Sequence, residues 1–337
     1  MKVVTTFESL KRQPGPVFLA AGFFDGLHLG HRKVIDRTIA SARAAGGRAW
    51  VLTFDTHPLR VLNPAEAPLL LTSGRHKMLL LRRLDLDGCL VLPFTHRLAN
   101  LDAREFVSLL HRCIPPLAEI FAGRNWRFGR YGRGSPAMLA RLSRGTGLTV
   151  NVIQPVTREG ETVSSTRVRA AIVGGNLEEA AVLLGRPFGI LGTVTRGRTV
   201  GRRLGFPTAN LRPHNEVLPP YGVYAVHARL GRRVHEGVLN HGVRPTYGQG
   251  GRAAPTLELH VMDLNRDLYG TDIEVLFVER LRDERRFGSE TALRRQIAAD
   301  VLRARSLLAE KKLKESLYSL CGPHYIDAQQ KTTRKEG

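Results

Sequence analysis

The sequence predicts a chain in two parts. The first is an α/β half whose parallel sheet is covered by helices on both faces; the second is an all-β half built as an antiparallel barrel or sandwich. Three observations carry this reading. Through residue 155, short apolar runs alternate with helical spacings, the pattern of a sheet buried on both sides. From residue 189 to 280, short β-branched runs follow one another with only turn residues between them. The 337 residues are enough for two hydrophobic cores.

Taken in order, strands are predicted at Val17–Gly22, Arg48–Phe54, Gly88–Pro93, Glu119–Gly123 and Leu148–Pro155. Helical spacing is predicted at Arg32–Ala45, Ser73–Leu84, Ala103–Cys113 and Pro136–Thr146. A short helix follows Gly174-Gly175-Asn176, and the pattern changes after Arg186, so the boundary is drawn at Leu184 to Phe188. This gives domains 1–185 and 186–322. Strands are then predicted at Gly189–Thr195, Gly222–Arg229, Val234–Asn240, Thr256–Met262 and Asp272–Arg280. An amphipathic helical region from Thr291 to about Leu320 closes the second part, with Leu293, Ile297, Val301, Leu307 and Leu308 as its apolar face. Residues 323–337 form a polar tail, predicted to be disordered from Gln329 to Gly337.

Composition narrows the function classes. With 42% hydrophobic and 24% charged residues this is an ordinary globular composition. No stretch of 18 apolar residues predicts a membrane span, and the N-terminus lacks the long apolar core of a secretory signal. Cys89, Cys113 and Cys321 are odd in number and widely spaced, which speaks against a disulfide framework or a metal knuckle. A cytoplasmic protein is predicted. The net charge of +21 would suit nucleic acid. The arginines, however, are spread along the whole chain and lysine is scarce, so an arginine-for-lysine habit of the source genome together with substrates rich in phosphate explains the excess better. A weak homo-oligomer is compatible with the sequence.

The densest chemistry lies in Gly22-Phe23-Phe24-Asp25-Gly26-Leu27-His28-Leu29-Gly30-His31. Two histidines separated by Leu-Gly sit where a strand turns into a helix. Unpaired N–H groups and the helix dipole favour an anion there, and Gly22, Gly26 and Gly30 allow it a close approach. With 12 His and 34 Gly, chance would supply an H-x-G-H only about 0.04 times in such a chain. A tight turn with two capping or buried histidines is the plain alternative. Two segments accompany the histidines: the glycine- and arginine-rich loop Gly123–Gly134, with Asn125 and Arg127, and Ser164-Ser165-Thr166-Arg167-Val168-Arg169 before a helix. Hydroxyls there can cap the helix or donate to phosphate oxygens, and arginines can neutralise them. Together the three segments suit nucleotidyl transfer without a covalent intermediate. In that chemistry donors placed on the developing charge supply most of the catalysis.

In the second half, Gly192, Gly197 and Gly201 lead into Arg202-Arg203-Leu204-Gly205-Phe206-Pro207-Thr208-Ala209-Asn210. Glycines let backbone N–H groups wrap phosphates, and no G-K-[ST] follows, so this is not a Walker motif. Thr208 and Asn210, two apart, can point to the same side of an extended segment, where a hydroxyl and an amide oxygen suit Mg2+. Read plainly, the segment is a glycine-rich hairpin. Glu258 lies mid-strand among apolar neighbours. Such a residue usually faces solvent; facing a site, it could accept the proton of an attacking hydroxyl.

Taken together, these residues resemble the prokaryotic bifunctional riboflavin kinase/FMN adenylyltransferase family over about Val17 to Leu320. Phe24 to His31 resembles the family's F-D-G-x-H-x-G-H, and Thr53-Phe54-Asp55-Thr56-His57-Pro58 resembles a second block. The Asn125–Gly134 and Ser164–Arg169 segments resemble two more. In the second half the Gly201–Asn210 motif, Gly237-Val238-Leu239-Asn240, Arg244-Pro245-Thr246, the Glu258 strand, Asp267-Leu268-Tyr269-Gly270 and Arg282-x-Glu284-x2-Phe287 follow in the family's order.

The resemblance implies a Rossmann-like nucleotidyltransferase domain followed by a small antiparallel β-barrel riboflavin-kinase domain with a C-terminal helix. It implies phosphorylation of riboflavin by ATP and Mg2+ to FMN, then adenylylation of FMN to FAD with release of pyrophosphate. By carry-over, Glu258 is the kinase base, Thr208 and Asn210 hold metal and phosphates, and His28 and His31 contact the ATP phosphates. Asp25, Asn125, Arg127 and Ser164 to Arg167 complete the first site. Gly197, Gly201, Arg202, Gly205, Pro207, Asn240, Arg282 and Glu284 complete the second. Four positions depart from the family's commoner residues: Phe23, Thr56, Asn125 and Ser135. All lie in the first half, which leaves open a kinase with a weak or inactive adenylyltransferase domain.

Overall fold

The computed structural model describes residues 1–310, apart from 12, 115, 197–200, 202–203 and 245–253. By contacts these fall into two compact units. Among the described residues the first comprises Met1–Leu69 and Lys77–Ser164; the second comprises Leu70–His76 and residues 165–310.

In the first unit, β1 (Lys2–Val4), β2 (Val17–Ala21), β3 (Arg48–Phe54), β4 (Gly88–Leu92), β5 (Leu117–Gly123) and β6 (Thr149–Ile153) form one sheet. Their order is β1-β4-β3-β2-β5-β6 and every neighbouring pair is parallel. The alternation of side chains along each strand divides the core in two. Val17, Leu19, Trp50, Leu52 and Leu90 pack on one face against Phe106, Val107 and Leu110 of the helix Ala103–Cys113. Phe18, Ala20, Val51 and Cys89 pack on the other, against Val34 and Ile35 of α1 (Leu29–Ala44) and against Leu80 and Leu81. Strand β1 escapes the sequence reading because it has three residues and no continuous apolar run. The small hairpin of β7 (Thr157–Arg158) and β8 (Glu161–Thr162) escapes it for the same reason.

The second unit holds a closed barrel of six antiparallel strands. These are β9 (Gly189–Thr195), β10 (Ala209–Pro213), β11 (Gly222–Leu230), β12 (Arg233–Arg244), β13 (Ala254–Val261) and β14 (Asp272–Arg282). The barrel runs β10-β13-β12-β11-β14-β9, which leaves no edge strand exposed. Strand β10 was not among the predicted strands. It is short, it ends in Pro213, and it belongs to the glycine-rich segment read as a hairpin. Five predicted strands could have formed a sandwich; the sixth closes the barrel.

The helix Glu290–Glu310 packs on the barrel through Ala304 and Leu308, which meet Val223, Ala225, Val238 and Leu281. Val301 and Leu307 flank that contact, whereas Leu293 and Ile297 are only half-buried. The stripe also contains an acid, Asp300, which is 7% exposed and takes Arg282 in a two-pronged ion pair, with Nε at 3.0 Å and Nη2 at 2.8 Å. Residues beyond 310, including Cys321 and the predicted tail, lie outside the described residues.

Leu70–His76 is a short strap laid on the barrel's own unit. The Leu70 N–H donates to the Glu216 carboxylate at 2.8 Å, and its carbonyl accepts from the N–H groups of Glu216 and Val217. Asn215 donates to the Leu71 carbonyl. The His76 ring meets Glu274 at 3.2 Å with both residues 2% exposed, and Arg229 meets the other oxygen of Glu274 at 3.3 Å.

Candidate functional site

In the first unit, the chain leaves the carboxyl end of β2 through a tight turn. Phe24 and Leu27, neither a glycine, hold the left-handed conformation beside Gly26, with φ of 57°, 43° and 79°. Non-glycine residues there cost about 1–3 kcal/mol each and concentrate at functional sites. His28 then caps α1, its Nδ1 accepting from the His31 N–H at 3.3 Å. The two imidazoles stack 3.6 Å apart at 18°, and the Phe24 ring meets His31 edge-on. A Cβ at Gly30 would lie 3.1 Å from the His28 ring, so this position favours a residue without a side chain. The result is a paired imidazole surface at the positive end of a helix, the arrangement that receives an anion.

The next strand over delivers the second segment. Ala122 near the end of β5 pairs with Ala21 at the end of β2, so Asn125 and Arg127 leave the same sheet edge as the histidine turn. Arg127 is exposed and bonds the carbonyls of Arg124 and Trp126 within its own loop. Val163 brings the third segment to this edge, its carbonyl 3.6 Å from where a Gly30 Cβ would sit, and Ser164 follows it in the chain. Ser165 begins a helix, Ser165–Val173, that groups with the second unit. Thr166 and Arg167 belong to that helix, and Arg167 is ion-paired to Glu179 at 2.9 Å.

One residue of this site was missed by the sequence reading. Lys77 is 3% exposed and donates to the carbonyls of Phe23 and Phe54, both at 3.0 Å, and to Thr53 Oγ1 at 3.2 Å. Its ammonium also lies 4.1 Å from the Phe23 ring centroid, and that ring meets His57 edge-on. A signal existed. Lys77 shares helical spacing with Leu80, Leu81 and Leu84, all buried, so it occupies the apolar stripe of its helix.

In the barrel, three predicted residues fall into one row. Glu258 of β13 is the cross-strand partner of Asn210 on β10 and of Asn240 on β12. Its neighbours Leu257 and Leu259, 2% and 0% exposed, fill the interior, so Glu258 faces outward between two amides. Thr208 lies just before β10, and a Cβ at Gly201 would come within 2.9 Å of its hydroxyl. The Phe206 N–H donates to the Gly201 carbonyl at 2.9 Å, closing a turn that includes Gly205 at φ 85°. His260 donates to the Pro207 carbonyl at 2.9 Å. Glu284 accepts from the Val243 N–H at 3.2 Å and lies over Gly242, which Asn240 also flanks. Arg282 is held by Asp300. Gly197 and Arg202 lie outside the described residues.

Comparison with known proteins matches both units. The FAD synthetase family model matches residues 10–167 and the riboflavin kinase family model matches residues 184–308. The bifunctional riboflavin kinase/FMN adenylyltransferase of Escherichia coli K12 is 36% identical over 317 residues, 93% of this chain and 99% of that protein. The protein of the same name from Bacillus subtilis is 34% identical over 294 residues, 86% and 92% of the two chains. A crystal structure of a macrolide-efflux protein from Streptococcus pneumoniae superposes with a TM-score of 0.76 at 28% identity, covering 90% of this chain and 99% of that one. Among the described residues no helix is long and apolar enough to cross a membrane.

Proposed function

The chain belongs to the bifunctional riboflavin kinase/FMN adenylyltransferase family, and from that premise we propose how its residues divide the two reactions. Both activities follow from the family: ATP and riboflavin give FMN, and ATP and FMN give FAD and pyrophosphate. A kinase with an inactive first half finds no support, because both halves match. We assign adenylyl transfer to 1–185 and riboflavin phosphorylation to 186–322, in the cytoplasm and without a nucleic-acid partner. Many arginines are already ion-paired, Arg43 and Arg48 with Asp87 and Arg75 with Asp272 among them.

One observation supports each assignment. For adenylyl transfer it is the His28–His31 stack at the first turn of α1. The attacking group, the phosphate of FMN, is already an anion, so no general base is required. The histidines supply donors where charge grows on the α-phosphate and the leaving pyrophosphate. Asn125 and Ser164, at the same sheet edge, would orient the nucleotide.

For the kinase it is the Asn210–Glu258–Asn240 row. Glu258 takes the proton of the riboflavin 5′-hydroxyl as that oxygen attacks the γ-phosphate, and the flanking amides hold the hydroxyl and phosphate oxygens in line. Thr208, Asn210 and Glu258 are hard oxygen donors, the kind Mg2+ prefers. Among the described residues no group of three or more His, Cys, Asp or Glu could hold a metal. Thr208 and Asn210 would therefore bind Mg2+ together with ATP phosphates, and the ion would neutralise their charge.

The test is chromatography of flavins from full-length protein supplied with ATP and Mg2+. His28→Ala is expected to abolish conversion of FMN to FAD and to leave FMN formation from riboflavin intact. Glu258→Ala is expected to stop FMN formation while added FMN still becomes FAD. A folded variant that loses both reactions refutes the division.

A further inference from the structure

We propose that Lys77 is a positioning residue for adenylyl transfer. It clamps the strained histidine turn to the end of β3, and it does so only when protonated. The proposal rests on the assignment of His28 and His31 above. Its starting point is a charge that has, among the described residues, no carboxylate in hydrogen-bonding reach: the ammonium donates to three oxygens, two of them backbone carbonyls. A structural lysine would normally pair with a carboxylate or stay at the surface.

The two carbonyls identify what is being held. Phe23 precedes the left-handed Phe24, and Phe54 ends β3 and precedes Asp55 and His57. The Thr53 hydroxyl, which donates to the Phe23 carbonyl at 2.9 Å, accepts from the ammonium as well. Lys77 thus ties together the two loops that leave adjacent strands β2 and β3. Phe23 and His57 pack edge-on across the same junction. A turn that stores strain in Phe24 and Leu27 relaxes unless its surroundings over-determine it, and the clamp provides that restraint. Relaxation would move His28 and His31, and a misplacement of about 1 Å at a reacting centre can cost on the order of 10²-fold in rate.

Protonation matters because a neutral amine has one lone pair and two N–H groups, and so cannot donate to all three oxygens. Burial pushes the Lys77 ammonium down to about 8, opposed by the negative charge of Asp25 and, less strongly, of Asp55. The Cys89 thiol is itself pushed up to about 12 and stays neutral in this range. The groups facing the ammonium are therefore Asp25 before α1, Asp55 after β3, Cys89 of β4 and, through the Phe23 ring, His57.

The experiment uses full-length protein with FMN, ATP and Mg2+ for adenylyl transfer, riboflavin, ATP and Mg2+ for the kinase, and variants Lys77→Met, Lys77→Arg and His28→Ala. Lys77→Met is expected to lower kcat for FAD formation on the order of 10²-fold, with KM for ATP changed less than threefold and the kinase rate within twofold. Lys77→Arg should recover at least tenfold of that loss. FAD formation by the wild-type protein should decline above about pH 8, and Lys77→Arg should lack this decline because arginine stays charged. If Lys77→Met keeps its FAD rate within threefold while His28→Ala is inactive, the clamp is refuted and the site stands. An active His28→Ala refutes the site itself. Should Lys77→Met fail to fold, the pH profiles decide: the same decline in wild type and Lys77→Arg overturns the proposal.

Discussion

Replacing Asp300 by alanine should uncouple the C-terminal helix from the barrel without disturbing the parallel-sheet unit. Asp300 accepts from Arg282 through both carboxylate oxygens and from Gln296 at 2.8 Å, and it is 7% exposed. Truncating one member of a buried pair leaves the other charge uncompensated, which costs about 3–5 kcal/mol. Arg282 is 19% exposed and keeps a bond from Nη1 to the Asp283 carbonyl, which discounts that figure. Alanine also has the better helix propensity by about 0.5 kcal/mol. A loss of about 2–3 kcal/mol is therefore expected. The assay exploits the two tryptophans, Trp50 and Trp126, which both lie in the first unit. In urea, tryptophan fluorescence follows that unit alone, while far-ultraviolet circular dichroism follows both. Asp300→Ala should lower the midpoint of the transition seen only by circular dichroism. The double variant Arg282→Met/Asp300→Leu should restore most of it, since an apolar pair replaces a buried ionic one at little cost. A fluorescence transition that moves as far as the other, or a change below about 0.5 kcal/mol in both, refutes the reasoning.

Two further outcomes concern the barrel. Burial holds the His227 imidazole down to about 4 against an ordinary 6.5, so the unfolded chain takes up this proton first. Stability should fall as pH drops from 6.5 to 4, by up to about 3 kcal/mol, and His227→Gln should flatten that slope in urea titrations. Glu274→Gln removes the charge shared by His76 and Arg229 and should weaken the strap by about 2–4 kcal/mol. Trypsin cleavage after Arg75 would then accelerate; an unchanged cleavage rate would show the strap does not depend on that charge.

The sequence exposed what depends on short-range pattern. The helix at Ala103–Cys113 and the strands at Arg48–Phe54 and Gly189–Thr195 have the same limits in sequence and structure, because apolar periodicity and turn residues bound them sharply. The histidine turn was legible because its glycines, histidines and flanking elements are contiguous. Glu258 looked like a surface residue with a second possibility, and only pairing across strands set Asn210 and Asn240 beside it. Strand β10 was hidden because its ladder partners supply the order that its own composition lacks. Lys77 and Asp300 were passed over for one reason. A charge on a buried stripe reads as a break in the pattern until its partners, 23 or more and 18 residues away in sequence, come into view.

The strap has a consequence for how the protein is made. His76 and Glu274 are 198 residues apart. At translation rates of about 5–20 residues per second, the histidine is synthesised roughly 10–40 s before its acid. During that interval the strap waits for neighbours that do not yet exist. The strap's contacts with the barrel unit are consequently made late, between residues 70–76 and a part of the chain synthesised long after them. A gene fragment starting at residue 186 would encode all six strands and still lack the strap and the helical segment 165–184 that belong to the same unit.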